Sequence, residues 1–351
     1  MMLQALRKIK ADAGVAICEV DEPLPGKDEV LLEVTAAGVC GSDVHVADWT
    51  PTYAFMTSCL PVTLGHEFGG TVIAVNEAAG GATHDIVLGQ RVVVAPFQSC
   101  GSCVDCLAGR KDDCQFKQGY LGFRRDGGFC RKVAVPAENC MPVPASLDDE
   151  SLALIEPITI GAQAVARSGM KKGARVLVVG PGPIGHCIAL MAEFEGAGSV
   201  AIAGKDDAVR LACLNANGFS TTIDAGAKPL DEAVRAVVGD TPFDIVFDAT
   251  GVGAIFEPAL RLLARGGALV TAGLPARPVP VDFTALSRNQ QSIVGTHRAP
   301  PEIWRRTIDI VATNPDRFKA MITHRMPLSE SPQAFELCRE RRASKVILSM
   351  Q

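Results

Sequence analysis

Hydrophobic residues follow two regimes along the chain, and the change comes near Leu152. Before it, short apolar runs are punctuated by glycine and proline. Residues 29–34, 71–75 and 91–95 have the length and the β-branched composition of strands. No convincing helical period occurs before residue 150, so this portion is expected to be mostly β. From Leu152 through Ile160 to Val165, apolar positions recur at helical spacing. Short apolar strands then alternate with helical stretches. Strands are expected at 175–179, 200–203, 221–223, 245–248, 268–271 and 292–294, with helices between them, as at 184–195 and 230–238. Such alternation predicts a doubly wound parallel sheet, an α/β fold. The tail adds expected helices at 302–312 and 332–341 and a strand at 345–348.

Composition narrows the class. At 351 residues the chain is long enough for about two domains. With 48% apolar and 21% charged residues it can build two cores. Its net charge of −5 offers no broad basic field, so nucleic acid is not expected as a partner. The segment MMLQALRKIKADAG has basic residues where a signal peptide would need its apolar stretch. The most apolar run, 176–192, is broken by Gly180, Pro181, Gly182, Pro183, Gly185 and His186, so no membrane span is expected. These features predict a cytoplasmic protein. Its twelve cysteines should then bind metal or stay buried rather than form disulfides.

Three groups carry candidate chemistry. The expected strand 175–179 runs into Gly180-Pro181-Gly182-Pro183-Ile184-Gly185, a G-x-G-x-x-G turn opening a helix. There the glycines permit a tight turn, close approach to a pyrophosphate and close helix packing. Cys100, Cys103, Cys106 and Cys114 have a spacing that lets four thiolates saturate one tetrahedral, structural zinc. The remaining lone cysteines at 18, 59, 130, 140, 187, 213 and 338 read as small buried hydrophobes. Cys40-Gly41-Ser42-Asp43-Val44-His45 and Gly65-His66-Glu67 place a thiol, imidazoles and carboxylates outside that lobe. Spacing alone also allows a buried Cys40, a core His66 and, in Glu156 before Pro157, a carboxylate at a helix N-terminus.

The motifs CGSDVH (40–45), LGHEFGG (64–70), the cysteine lobe, RRDGGF (124–129), LIEPITIG (154–161), GPGPIG (180–185), DATG (248–251) and THRMPL (323–328) run nearly end to end. On these the chain resembles the zinc-dependent medium-chain alcohol dehydrogenases, in the sorbitol/threonine/sugar-alcohol branch. The resemblance implies a GroES-like catalytic domain at 1–155 with its structural-zinc lobe at 98–116. A Rossmann domain at 156–296 and a return to the first domain at 297–351 complete the implied layout. It implies two zinc ions per subunit. The catalytic one falls to Cys40, His66 and Glu67, with a water or substrate oxygen in the remaining position, and Glu156 matches the family's second carboxylate, a ligand directly or through water. Ser42 and His45 match the relay that carries the alcohol's proton to solvent. The implied reaction is hydride transfer between a secondary alcohol and a nicotinamide cofactor, in a homodimer or homotetramer.

Substrate and cofactor choice are less determined. Family position puts Trp49, Phe123 and Arg298 at the substrate pocket. A polyol, sugar acid or sugar-alcohol phosphate is expected, with L-threonine or a simple alcohol as the alternative. Arg124, Arg125, Arg298 and His297 can accept a phosphate or carboxylate, although Arg125 and Asp126 can equally brace a turn. An NAD enzyme of this fold places an acid about 20 residues beyond the glycine motif. Here the second strand ends at Gly204-Lys205, and Lys205 with Arg210 suits a 2′-phosphate, so the reading leans to NADP. Asp206 and Asp207 follow at once, and a one-residue slip would restore the acid. Competing classes are a zinc-ribbon module for nucleic acid, a non-catalytic relative and a zinc-free reductase. Acidic net charge opposes the first, and intact Cys40, Ser42, His45, His66 and Glu67 oppose the others.

Overall fold

The computed structural model describes residues 2–76, 86–114 and 119–350; Gln115 and Phe116 of the expected lobe lie outside them. The chain forms two compact units. One joins residues 1–156 to 304–315 and 322–351, and the other comprises 157–303 with 316–321.

In the first unit the strand Glu67–Val75 is central. It pairs with Glu29–Glu33, Ala36–Gly38 and Arg91–Val94, all antiparallel. Glu29–Glu33 buries Val30, Leu31 and Leu32 in succession rather than alternately, because both of its faces are covered. The tail strand Lys345–Ser349 enters the same sheet, antiparallel to Ala36–Gly38 and parallel to Ile322–Pro327. The core therefore mixes early residues such as Leu32, Phe68 and Val92 with late ones such as Val346 and Leu348.

This portion is not free of helix, contrary to the period reading. It contains α1 (Gly41–Ala47), a 3-10 stretch Pro51–Cys59 and α2 (Val104–Leu107). One or two turns give too few repeats for a 3.6-residue period to emerge, and Pro51–Cys59 buries only Met56. The next helix, α3 (Asp149–Arg167), begins well before Glu156-Pro157. Asp149 and Glu150 occupy its first turn and pair with Arg91 and Arg325. Glu156 is thus an interior helix residue, and its reading as an N-terminal carboxylate is excluded.

The second unit is a six-stranded parallel sheet. Its order is Thr222–Asp224, Ser199–Gly204, Arg175–Val179, Phe243–Asp248, Leu263–Thr271 and Ser292–Gly295. Numbered within the sheet, that is 3-2-1-4-5-6, whose reversal point lies beyond the end of Arg175–Val179. The helix α4 (Pro183–Phe194) leaves that strand with eight consecutive buried residues, Gly185 to Ala192. Residues 316–321 belong here: Phe318 stacks on Phe194 at 5.4 Å, and Arg317 pairs with Glu193 at 2.7 Å. The residue-297 return expected from the resemblance lies within this unit, and Trp304 is the first tail residue of the other. Among the described residues no helix is long and apolar enough to cross a membrane. Of the lone cysteines, Cys130, Cys140 and Cys187 are buried, whereas Cys18, Cys59, Cys213 and Cys338 are half-exposed.

Candidate metal and cofactor sites

None of the twelve cysteines, all among the described residues, is in a disulfide, and four of them converge. The sulfurs of Cys100, Cys103, Cys106 and Cys114 lie within 4.8 Å of one another, those of Cys100 and Cys106 at 3.8 Å. Sulfurs about 2.3 Å from a tetrahedral zinc would stand roughly 3.8 Å apart, so the set fits that ion. The backbone helps make the thiolates: the Ser102 and Cys103 amides and the Ser102 hydroxyl hold Cys100 down at about 6. A four-sulfur set that leaves no open position suits a structural metal.

The second group is built at the start of α1 and the start of the central strand. Cys40 is the N-cap of α1, which places Ser42 and His45 three residues apart on one helical face. Ser42 is half-buried and His45 exposed. Gly65, at φ +91°, makes the bend that delivers His66 and Glu67; a side chain there would strike the Phe129 ring and backbone. One donor atom each from Cys40, His66 and Glu67 lies within a 4.8 Å group, with His66 and Glu67 buried.

Two features show that this group suits a cation. Asp43, fully buried, accepts the Cys40 amide proton at 2.9 Å through Oδ2 and faces His66 Nδ1 at 3.5 Å through Oδ1. A carboxylate on one imidazole nitrogen leaves the other for a metal. Burial alone would lower the His66 pKa, yet the negative charges of Asp43 and Cys40 outweigh it and raise the pKa well above the usual imidazole range. The pocket is anion-rich. Glu156 stands outside the tight group but within electrostatic reach of it. Burial, with Glu67 adding, pushes its carboxyl up to about 7 against the pull of His66 and Lys345.

Sequence reasoning missed three neighbours. Asp43 sits inside a quoted motif, but nothing in the spacing shows that it ties together two donor residues. Lys345 is buried and pairs with Glu67 Oε2 while donating to the Val39 carbonyl at 3.0 Å. Its signal is a lysine opening an otherwise apolar strand. Burial raises the Tyr53 phenol above the usual value, with the nearby Ser42 hydroxyl acting weakly in the other direction. Phe123 is brought to the site, its ring 4.9 Å from that of His66. Trp49, at φ 53°, follows α1, where the Lys8 ammonium lies 5.0 Å over its ring and reaches the Ala47 carbonyl at 3.4 Å. Arg298 belongs to the second unit, half-buried at φ 56°. Arg125 and Asp126 do brace a turn: Arg125 pairs with Glu29 and Gln98, and Asp126 accepts the Thr63 amide proton at 2.7 Å.

In the second unit Gly180 turns the chain at φ 107°, and Gly182 caps α4, whose first residues are Pro183, Ile184 and Gly185. A side chain at Gly185 would collide with the Gly180 carbonyl, so only glycine lets the helix pack this closely. The second strand ends at Gly204, where a β-carbon would press on Pro181. Lys205 and Asp206 are exposed; Asp207 is buried and pairs with Arg210 at 3.4 Å. The Arg210 guanidinium lies 3.7 Å from where a β-carbon on Gly182 would stand, so it borders the glycine turn.

Residues 26–145 match the alcohol dehydrogenase GroES-like domain, and residues 183–313 match the zinc-binding dehydrogenase domain. Together with the fold and donor sets, these matches place the chain in the zinc-dependent medium-chain dehydrogenase superfamily, a class of oxidoreductases. It is 32% identical to a sorbitol dehydrogenase of Halalkalibacterium halodurans, covering 99% of each chain. It is 29% identical to an L-threonine 3-dehydrogenase of Coxiella burnetii over 99% of this chain and 100% of that one. With an L-galactonate-5-dehydrogenase of Escherichia coli the identity is 31% over 90% and 89%. Two solved structures superpose with a TM-score of 0.86 over 99% of both chains. One is a zinc-binding dehydrogenase of Sinorhizobium meliloti bound to NADP, at 30% identity; the other is an Escherichia coli alcohol dehydrogenase with NADH, at 28%.

Proposed function

We propose that the protein oxidises one secondary hydroxyl of a polyol, sugar acid or sugar-alcohol phosphate, with zinc and a nicotinamide cofactor. The observation that carries this reading is the convergence of Cys40, His66 and Glu67 donor atoms within 4.8 Å beside the half-buried Ser42. When bound, zinc supplies the Lewis acid that makes the substrate hydroxyl acidic, and the nicotinamide supplies the hydride acceptor. Cys40, His66 and Glu67 would hold the catalytic ion, with Glu156 joining directly or through water, and the four lobe cysteines the structural one. Ser42 takes the hydroxyl proton, and exposed His45, one turn further along α1, passes it to water. Phe123 packs against the imidazole, and Trp49 and Arg298, by family position, are the further residues assigned to substrate in this reading.

The proposed cofactor contacts are Gly180, Gly182, Pro183, Ile184 and Gly185 at the pyrophosphate and Gly204, Lys205 and Arg210 at the ribose. Exposed Lys205 and the guanidinium beside the glycine turn support NADP. Asp207 is buried and pairs with Arg210. A cytoplasmic location and a dimeric or tetrameric assembly belong to the same reading, as does the expected two-domain layout with its return moved to Trp304. Metal analysis with a panel of sugar alcohols, aldonates, their phosphates and L-threonine, followed by nicotinamide reduction, tests it. Two zinc ions per chain are expected, one removable by chelator together with all activity. Full activity with one zinc or none would overturn the reading.

A further inference from the structure

We propose that Arg124 selects substrates whose hydroxylated chain ends in an anion, a carboxylate or a phosphate, by holding that anion at the outer end of an aromatic wall that starts at His66. The inference rests on the dehydrogenase reading above and adds the substrate's charge to it.

The wall is continuous in its ring contacts. Phe123 lies 4.9 Å from the His66 ring, Tyr53 lies 5.7 Å from Phe123, and Phe55 lies 6.0 Å from Tyr53. The Arg124 guanidinium then sits 5.1 Å from the Phe55 centroid. A tight turn sets the two neighbours apart: the Tyr120 carbonyl accepts both the Phe123 and Arg124 amide protons, at 3.0 and 2.8 Å. Phe123 is thereby buried and Arg124 exposed. Phe55 remains 43% exposed, a large aromatic surface left open along the wall.

The cations around it are already engaged. Arg125 is held by Glu29 and Gln98, and Arg7 by the Pro61 carbonyl and Asp126. Among the described residues no carboxylate pairs with Arg124. A guanidinium lying on an aromatic face is oriented by it, and its N–H edge is left for a two-oxygen acceptor. Holding an anionic terminus at Arg124 turns that end of the substrate outward and leaves the far hydroxyls toward Ser42.

The test compares a neutral hexitol, the matching six-carbon aldonate and the hexitol phosphate on zinc-loaded wild type, Arg124→Gln and Arg124→Lys. Wild type is expected to favour at least one of the two anionic substrates, and which one distinguishes carboxylate from phosphate. Arg124→Gln should raise KM for that substrate by about tenfold, the scale of one partly exposed charge-assisted contact. Its kcat should stay close to wild type, the hexitol should be unaffected, and Arg124→Lys should recover part of the loss. Added salt should raise KM for the anion alone. Preference for the neutral hexitol, or an equal loss on all three substrates, overturns the inference while leaving the dehydrogenase reading intact. Failure of zinc-loaded enzyme to oxidise any of them, or any alcohol of the wider panel, overturns both.

Discussion

Asp43 joins two donor residues that are far apart in sequence. One oxygen fixes the Cys40 amide and the other faces the His66 ring, so a single buried carboxylate sets where a thiolate and an imidazole point. Replacing it with asparagine keeps the volume and removes the charge. We expect Asp43→Asn to weaken binding at the Cys40/His66/Glu67 site by about 10- to 100-fold, the usual effect of losing a partner behind a metal ligand. The cysteine lobe should keep its metal. Chelator competition with a separate thermal melt checks this, and unchanged affinity in a folded variant would remove the role. At this scale the sequence was partly legible. Cys40, His66, Glu67 and the four lobe cysteines could be named from motifs, because donor chemistry restricts residue type. Asp43, Tyr53 and Lys345 could not be assigned, because their roles exist only once distant segments meet.

The element that follows the glycine turn carries its own pH dependence. His186 on α4 is fully buried, with Nε2 2.7 Å from Asn217 Nδ2. Burial first, and the nearby Arg317 second, lower it from 6.5 to about 3. Between those values the unfolded chain binds a proton that the folded chain refuses. This contribution is fully present above pH 6.5 and is lost as pH falls toward about 3. The loss should reach about 2 kcal/mol at pH 5. His186→Gln should flatten that part of the stability curve, measured by denaturant unfolding at about pH 7.5 and about pH 5. Identical slopes in both proteins would count against it. The longer elements of this unit were legible because they show their period: the expected 175–179 and 230–238 coincide with observed elements, whereas the short helices Phe256–Leu262 and Phe283–Arg288 were not singled out. In the first unit α1 and α2 escaped because a seven- or four-residue helix shows no repeat. The strand Met2–Lys8 was not singled out, since Arg7 and Lys8 end it with basic residues.

At the scale of the whole molecule, the proposed cofactor preference rests on groups from separate elements, Lys205 after one strand and Arg210 beside the glycine turn. We expect kcat/KM to be higher with NADP than with NAD on a common substrate. A preference for NAD above about tenfold, about 1.4 kcal/mol, would reverse the assignment. The first unit is also discontinuous in sequence, and this has a consequence for its biogenesis. Glu67 is 278 residues upstream of Lys345, the buried cation that pairs with it. At a synthesis rate of about 5–20 residues per second, that lysine leaves the ribosome roughly 14–56 s after the glutamate does. The whole nucleotide-binding sheet is made in the interval. The nascent chain therefore carries a thiol, an imidazole and a carboxylate whose sheet still lacks its Lys345–Ser349 strand, so the proposed metal site of the first unit is expected to mature last, with its early donors open to the wrong ion until then.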